Sequence, residues 1–208
     1  ETLVTTLRRS RRGGAPGPLG FAYEHLRTAI SHEPSERDSS SALFTTLLRF
    51  INRVAAGEIP AAALEAMSTG VLIALVKPSL NPARLDGIRP IGITCTLRRL
   101  AMSAIAREEK ASFAKAFAPI QFGVSTPDGT DQLALGIAAV LQANPGSALL
   151  QLDLANAFNS ISRPGIQAGV RALAPKLEKV FRLWYDKPSE MLYFQDGADA
   201  PTVILSST

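Results

Sequence analysis

Apolar residues recur at helical spacing in the first third of the chain. In the segment 42–56 they share one helical face, which consists of Leu43, Leu47, Leu48, Ile51, Val54 and Ala55. This pattern predicts an amphipathic helix that ends at Gly57. Shorter helices are predicted over residues 21–31, after a Gly/Pro-rich loop, and over residues 60–67, where Pro60 takes the favoured first-turn position.

Two apolar runs in the middle of the chain predict a β-hairpin. Residues 71–76 are apolar throughout, which predicts a buried strand, and residues 89–93 predict a second strand after a turn-rich loop. Pro90 has no backbone N–H, so the second strand is expected at the edge of a sheet or at a strand start. A long helix over residues 95–117 is predicted to follow, with Thr94 as its cap.

The last third of the chain contains both helices and strands. The predicted helices cover residues 128–142, 164–173 and 175–185. The predicted strands cover residues 149–152, 191–194 and 202–205, and the last two are joined by a turn at 195–197. Strands and helices do not alternate regularly along the chain, so we expect an α+β fold rather than a doubly wound parallel sheet.

The composition is that of a folded domain with a clustered basic charge. Hydrophobic residues make up 46% and charged residues 19% of the 208 residues, which suffices for a core. No apolar run could span a bilayer, and a single cysteine excludes an internal disulfide. Of the net charge of +4, residues 1–12 carry +3 and residues 71–110 carry +4, while the rest sums to −3. Such clusters favour a polyanionic partner, and solvated helix faces are the plain alternative.

A carboxylate ends the apolar run at residues 149–152. Asp153 would lose its hydration there, which is costly unless the carboxylate finds a partner. A divalent metal ion such as Mg²⁺ is one such partner, and a capping role in the next turn is the alternative. The small or polar positions Asn156 and Ala157 would let backbone N–H groups approach a ligand, and the aromatic Phe158 follows them.

Two cationic residues flank the predicted hairpin loop. Lys77 follows the first strand and Arg89 begins the second. Together they could reach the phosphates of one nucleotide, Arg89 as a bidentate fork and Lys77 as a point charge. The alternative is that both simply end strands at the surface.

Four segments, in this order along the chain, resemble parts of the reverse transcriptases of non-LTR retrotransposons. They are Arg12–Pro18 with Tyr23–Leu26; Leu72–Pro78 with Ile88–Ile93 and Leu97–Leu100; Gln121–Gly123 with Thr126–Thr130; and Leu152–Ile161. The second resembles the fingers region, and the last resembles the first catalytic motif. The resemblance implies a right-hand polymerase fold, with helix-rich fingers and a β-hairpin over residues 1–145 and an incomplete antiparallel palm sheet over residues 146–208.

The resemblance also implies roles for individual residues. Asp153 would be catalytic and a metal ligand, and the backbone carbonyl of Leu154 would be a second metal contact. Asn156 and Ala157 would approach the triphosphate through their backbone N–H groups. Phe158 would lie under the sugar and select deoxynucleotides.

In the same family, the residues at the places of Lys77 and Arg89 contact the triphosphate of the incoming nucleotide. The loop of Gln121 and Gly123 would lie near the template strand, although by itself it is an ordinary loop that enters a helix. The chemistry implied is two-metal nucleotidyl transfer with two Mg²⁺ or Mn²⁺ ions. Asp153 alone cannot hold both ions, and the family's later Asp-Asp turn does not occur in this sequence.

We therefore expect an N-terminal fragment of an RNA-directed DNA polymerase that lacks the rest of the palm and the thumb and is inactive alone. Its expected partners are an RNA template, a DNA primer and dNTPs, with no membrane. The expected location is intracellular, and nuclear if the element is a eukaryotic non-LTR retrotransposon. The alternatives are a non-catalytic nucleic-acid-binding remnant of a degenerate retroelement and a globular domain with a fortuitous resemblance.

Overall fold

The computed structural model describes residues 1–27, 30, 42–76, 88–154 and 157–206, with the backbone alone at positions 158 and 159. The fold of these residues is mixed α+β, as predicted, with one small four-stranded sheet. The chain divides into two compact units. The first comprises Glu1–Ile105 and Lys179–Ser207, and the second comprises Ala106–Glu178. The predicted functional boundary between residues 145 and 146 stays a prediction.

The elements have the following bounds. The helices are α1 Thr2–Arg9, α2 Tyr23–Arg27, α3 Ala42–Ala56, α4 Ala61–Ser68, α5 Thr96–Glu108, α6 Lys110–Phe117, α7 Gly129–Ala143, α8 Ala157–Ser160, α9 Arg163–Leu173 and α10 Glu178–Tyr185. The strands are β1 Gly70–Val76, β2 Ile88–Thr94, β3 Ser189–Tyr193 and β4 Thr202–Ser206.

The sheet belongs to the first unit and has the strand order β2-β1-β3-β4. β1 pairs with β2 and β3 with β4 in antiparallel fashion, which confirms both predicted hairpins, whereas β1 and β3 run parallel. β2 lies at an edge of the sheet, as its Pro90 predicted. β1 is buried only at Gly70, so the prediction of a buried strand over residues 71–76 is wrong for its exposed second half.

The core of the first unit is formed by one face of each of several helices. Its most buried side chains include Leu3, Leu7, Leu47, Ile51, Val54, Leu100, Val180 and Trp184. On α3, Leu47, Ile51 and Val54 are buried as the helical spacing predicts, while Leu43 and Leu48 are exposed. The apolar stripe of α3 is therefore narrower than predicted.

The N-terminal helix α1 was not predicted from the sequence. It buries Leu3, Thr6 and Leu7, which lie at the i, i+3 and i+4 positions of a short helical face. Two leucines in eight residues give only a weak helical pattern. The arginines that follow lower the mean hydropathy of the segment and make the pattern harder to recognise.

The predicted strand at residues 149–152 is wrong. Residues 147–154 form no helix or strand, and Leu150, Leu152 and Leu154 are 79%, 77% and 75% exposed. A strand requires a hydrogen-bonded neighbour, and the sheet of the described residues consists only of β1 to β4. The apolar composition of this run therefore reflects neither burial nor pairing within the described chain.

Several predicted helices begin or end elsewhere. The helix predicted over residues 95–117 is interrupted at Glu109 between α5 and α6, and Thr94 belongs to β2 instead of capping the helix. The helix predicted over residues 175–185 starts as a 3₁₀ turn before α10. Of the helix predicted over residues 21–31, the structure describes the five-residue helix α2 and a 3₁₀ position at Ile30, whereas residues 28, 29 and 31 lie outside the described residues.

The helices of the second unit bury little apolar surface. Neither α6 nor α9 buries a residue, and Leu135 of α7 is 71% exposed. Within this unit, Arg171 of α9 and Glu178 form an ion pair of 2.6 Å. Across the described ranges, no helix combines the length and the apolar character needed to cross a bilayer.

Candidate functional site

The β1–β2 hairpin positions Arg89, one of the two predicted phosphate-binding cations. Arg89 is exposed on β2 and stands opposite Leu75 of β1. β1 ends at Val76, so Arg89 lies at the end of the hairpin from which the chain continues into Lys77. Lys77 itself lies outside the described residues.

Two glycines in the hairpin give room to a side chain of the neighbouring strand. A Cβ at Gly70 would lie 2.9 Å from the sulfur of Met191, and a Cβ at Gly92 would overlap the methyl group of Met191. Met191 belongs to β3 and stands opposite Gly70 in the parallel register. The thioether therefore packs across both strands of the hairpin, which ties the strand of Arg89 to the rest of the sheet.

The Gly/Pro-rich loop of residues 13–18 is fixed to the first turn of α5. The buried hydroxyl of Thr96 donates a hydrogen bond to the Pro16 carbonyl oxygen (2.9 Å), and the Arg99 guanidinium donates to the Ala15 carbonyl oxygen and to Thr96 Oγ1 (2.8 Å). At the other end of the loop, the Gly13 backbone N–H donates to Glu24 Oε1 (2.8 Å). The loop is thus held by side chains from two helices.

Arg99 also lies over an aromatic ring. Its guanidinium carbon is 5.5 Å from the centroid of the Tyr23 ring, which is a cation–π contact. Burial raises the pKa of the Tyr23 hydroxyl, and the charge of Arg99 and a hydrogen bond with Ser103 oppose that rise. Arg99 Nε is buried without a hydrogen-bond partner among the described residues, so the aromatic face, the Ala15 carbonyl and Thr96 Oγ1 are what hold this cation.

The neighbouring arginine contacts the core of the same unit. The guanidinium of Arg98 lies 4.5 Å from the centroid of the Trp184 ring and 6.0 Å from that of Tyr185. Trp184 is only 2% exposed, and its Nε1 has no hydrogen-bond partner in the described part of the chain. Arg98 and Arg99 fall in a family-like segment of the sequence, but these contacts were not predicted, because cation–π pairs between distant elements leave no local pattern.

The residues of the predicted catalytic motif lie in the second unit, in an exposed segment. Asp153 and Leu154 are exposed and lie outside regular structure, and α8 begins at Ala157. Asn156 lies outside the described residues, and Phe158 is described only as a backbone position of α8. The prediction of a strand followed by a turn is therefore wrong for its strand: the described residues before the gap at 155–156 are irregular, and one helical turn begins at Ala157.

The predicted template-side loop is an ordered turn at the start of α7. Gln121 Oε1 accepts a hydrogen bond from the Gly123 backbone N–H (2.6 Å), and both residues are exposed. A Cβ at Gly129 would overlap the Phe122 carbonyl oxygen, so the loop folds closely onto the helix start. Asp128 is the N-cap residue, but its side chain makes no capping hydrogen bond.

A groove of about 770 Å³ in the first unit was not predicted from the sequence. Its charged lining consists of Glu65, Lys179, Arg182, Asp186, Lys187 and Glu190. Three acidic and three basic residues balance, and Arg182 and Asp186 already pair at 3.0 Å. The groove therefore lacks the net positive charge that favours binding of a phosphate group.

The described residues do not form a metal site by themselves. Among them there is no group of three or more His, Cys, Asp or Glu side chains close enough to hold one ion. Asp153 and the Leu154 carbonyl are at most part of a ligand set. Because Arg89 belongs to the first unit and Asp153 to the second, their shared site stays a prediction.

Comparison of the chain with models of known protein families and with curated proteins finds no match.

Proposed function

We propose that this chain is the fingers and the beginning of the palm of an RNA-directed DNA polymerase of the non-LTR type. The observation that carries the proposal is the antiparallel β1–β2 hairpin, in which Arg89 stands opposite Leu75, two residues before Lys77 in the sequence. A hairpin with cations at its loop end suits the triphosphate of an incoming nucleotide. The order of the four family-like segments supports the same proposal.

On this proposal the two cations bind the nucleotide in different ways. The planar guanidinium of Arg89 can donate two parallel hydrogen bonds to phosphate oxygens, whereas the Lys77 ammonium acts as a compact charge. Arg89 is exposed on an edge strand, so its side chain is accessible to a ligand. Asn156 and Ala157 would add backbone donors, and Phe158 would select the deoxyribose.

The exposed run of residues 149–154 is also in keeping with a palm segment. Leu150, Leu152 and Leu154 show their side chains to solvent, although leucine is among the residues most often buried. In the intact polymerase we propose that partner strands cover this run and that further carboxylates join Asp153. When bound, Mg²⁺ or Mn²⁺ would activate the primer hydroxyl and steady the leaving pyrophosphate.

Nucleotide binding by the chain tests the hairpin half of this proposal. We expect the 208-residue chain to bind dNTPs and Arg89→Ala to weaken that binding about tenfold or more, as loss of a charged hydrogen-bonding partner does. Arg49→Ala, which removes an exposed arginine from α3, is the matched control and should bind as the wild type does. Equal affinities of the Arg89 and Arg49 variants would refute the assignment of Arg89.

Incorporation by the intact polymerase tests the palm half. Asp153→Ala in the protein that contains this segment should abolish primer extension and leave template binding largely intact. The RNA template, DNA primer and dNTPs are the proposed partners in that assay. Retained incorporation would show that Asp153 is not a metal ligand.

A second candidate function is a nucleic-acid-binding remnant without catalysis. The exposed arginines at positions 8, 9, 11 and 12 favour it, because they could bind phosphates without any metal or nucleotide. The two functions differ in one measurement. Nucleic-acid binding without any dNTP binding favours the remnant, and specific dNTP binding favours the polymerase.

A further inference from the structure

An arginine-rich surface lies at the C-terminal end of α1. It consists of Arg8, Arg9, Arg11 and Arg12, all four of them exposed, and we call it the arginine surface. No hydrogen bond or ion pair joins any of the four side chains to another of the described residues. The nearby carboxylate of Glu24 is already engaged by the Gly13 N–H (2.8 Å) and by Arg27 (3.7 Å).

The helical half of this surface is fixed by α2. Arg27 Nε donates a hydrogen bond to the Leu7 carbonyl oxygen (3.0 Å), and its Nη2 donates to the carbonyl oxygen and to Oγ of Ser10 (2.9 Å to Oγ). The Leu7 carbonyl oxygen also accepts hydrogen bonds from the backbone N–H (3.3 Å) and Oγ (2.7 Å) of Ser10, so Arg27 adds a link between α2 and the C-terminal end of α1. Leu3 and Leu7 are buried on the opposite face. Arg8 and Arg9 therefore project from a helix that cannot rotate freely.

The loop half of the surface consists of Arg11 and Arg12, and the chain that follows it is held by α5. The chain that continues from Arg12 is held at Ala15 and Pro16 by the hydrogen bonds of Arg99 and Thr96. Thr96 is 0% exposed, so it cannot itself touch a large ligand. The same strand-to-helix junction ends β2, the strand that carries Arg89. The arginine surface and the hairpin thus belong to one anchored unit.

We propose that the arginine surface binds the phosphate backbone of a nucleic acid, and that Thr96 and Arg99 are positioning residues for its loop half. The inference rests on the proposed function in that it takes a nucleic acid as the partner. It assigns to this partner a second contact region, separate from the nucleotide site at the hairpin.

The chemistry of the surface favours nucleic acid over an anionic membrane. A helix that lies on a bilayer needs a free apolar face, and the apolar face of α1 is buried within the fold. All four cations are arginines, whose planar forks match phosphate groups better than lysine does. Arg8 and Arg9 end α1, and Arg11 and Arg12 follow directly after it, so the four side chains can contact successive phosphates.

Salt-dependent binding tests the surface. The variant with Arg8, Arg9, Arg11 and Arg12 all changed to Gln is compared with a control in which Arg49, Lys110, Lys115 and Lys176 are changed to Gln. Both variants lose four positive charges, and all the altered side chains are exposed. The probes are single-stranded RNA, duplex DNA and vesicles that contain anionic lipid. Circular dichroism verifies that each variant is folded.

We expect the arginine variant, and not the control, to lose affinity for nucleic acid and most of its salt dependence. If four phosphate contacts are lost, wild-type affinity should fall about 100-fold more than the variant's affinity between roughly 50 and 200 mM salt. Equal losses in the arginine variant and the control would mean that only net charge matters, which would overturn the proposal. Vesicle binding that depends on these arginines, without nucleic-acid binding, would overturn it too.

A hydroxyl exchange tests the positioning role. Thr96→Val should remove the bond to Pro16, weaken nucleic-acid binding severalfold and speed tryptic cleavage after Arg11 and Arg12, whereas Thr96→Ser should restore both properties. Unchanged cleavage and binding in Thr96→Val would refute this role. The dNTP affinity is measured separately. A wild-type chain that binds no dNTP would count against the polymerase. Loss of salt-dependent RNA binding in the arginine variant would support the arginine surface, whatever the dNTP affinity is.

Discussion

Gly17 lies directly against the carbonyl group of Thr94. A Cβ at position 17 would be 2.6 Å from that carbonyl oxygen and 3.0 Å from its carbon. Gly17 also has a φ of +75°, in the left-handed region that side chains disfavour. This contact joins the N-terminal loop to the end of β2, and it requires glycine for two independent reasons.

Substitution of this glycine separates the two reasons. Gly17→Ala should destabilise the fold by more than the roughly 1–2 kcal/mol that a left-handed backbone costs, because the new methyl group also meets the Thr94 carbonyl. Gly20→Ala is the control, since Gly20 has a φ of +71° but no atom within 4 Å of the place that a methyl group would take. Urea unfolding measures both. Equal losses would show that the contact with Thr94 is unimportant.

The contact of Arg98 with Trp184 should stabilise the first unit. Arg98→Gln removes the cation from the ring face, so we expect a loss of about 0.5–2 kcal/mol in the free energy of unfolding. Because Trp184 is the only tryptophan, its fluorescence emission should change as well. The exposed Arg49→Gln should alter neither property. An Arg98 variant with unchanged stability and emission would contradict the contact.

Because residues 149–154 are exposed, truncation of a leucine in this segment should cost little stability, whereas truncation in a buried strand would cost several kcal/mol. Leu152→Ala should change the free energy of unfolding by no more than about 0.5 kcal/mol, as exposed positions do. Leu100→Ala, at a fully buried position, should cost about 2–5 kcal/mol. Thermal and urea unfolding of the two variants provide the comparison. A cost of several kcal/mol at Leu152 would show that the segment is packed.

Stability should depend on pH through Glu24. The hydrogen bond from the Gly13 N–H, and to a smaller extent the charge of Arg27, lower the pKa of this carboxyl below its ordinary value of 4.5. A lowered pKa in the folded state means that the carboxylate contributes stability above about pH 4.5, and that this contribution is lost as pH falls through the folded pKa.

Glu24→Gln tests that sign. The wild type should be more stable than the variant near neutral pH, and the difference should shrink in acid. The matched control is Glu58→Gln, at an exposed position before α4. Unfolding curves at a series of pH values give the result, and a difference that grows on acidification would contradict the assignment to Glu24.

The sheet was predictable from the sequence because its signals are local. The run 71–76, the strand of Pro90 and the turn before residues 202–205 each specify a strand through composition and neighbouring turn residues. The hairpins and the edge position of β2 followed from these signals. The parallel pairing of β1 with β3 could not be predicted, because these strands are more than 100 residues apart and neither sequence indicates its pairing partner.

The motif around Asp153 shows the opposite case. Three leucines among the four positions before Asp153 favour a strand, but a strand exists only where another strand pairs with it. None of β1 to β4 does so in the described residues. The chemical roles of Asp153, Lys77 and Arg89 were taken from a family resemblance, and they remain predictions because the hairpin and the motif lie in separate units.

The anchoring of the N-terminal loop was beyond sequence-based prediction for a third reason. Its hydrogen bonds join Ala15 and Pro16 to Thr96 and Arg99, some 80 residues away, and involve backbone carbonyls that every residue type possesses. Such contacts have no residue signature. Only Gly17, with its close approach to Thr94, leaves a trace in the sequence.

The two outer strands of the sheet, β2 and β4, differ in how well their sequences prevent a strand of another molecule from pairing with them. β2 carries a proline and an arginine, which discourage a foreign strand from adding to it. β4, Thr202–Ser206, has no charged residue or proline, and its Val203, Ile204 and Leu205 are exposed. An outer strand of this composition is a template for self-association. Preparations of the chain should therefore aggregate through β4. The substitution Ile204→Lys should keep them monodisperse.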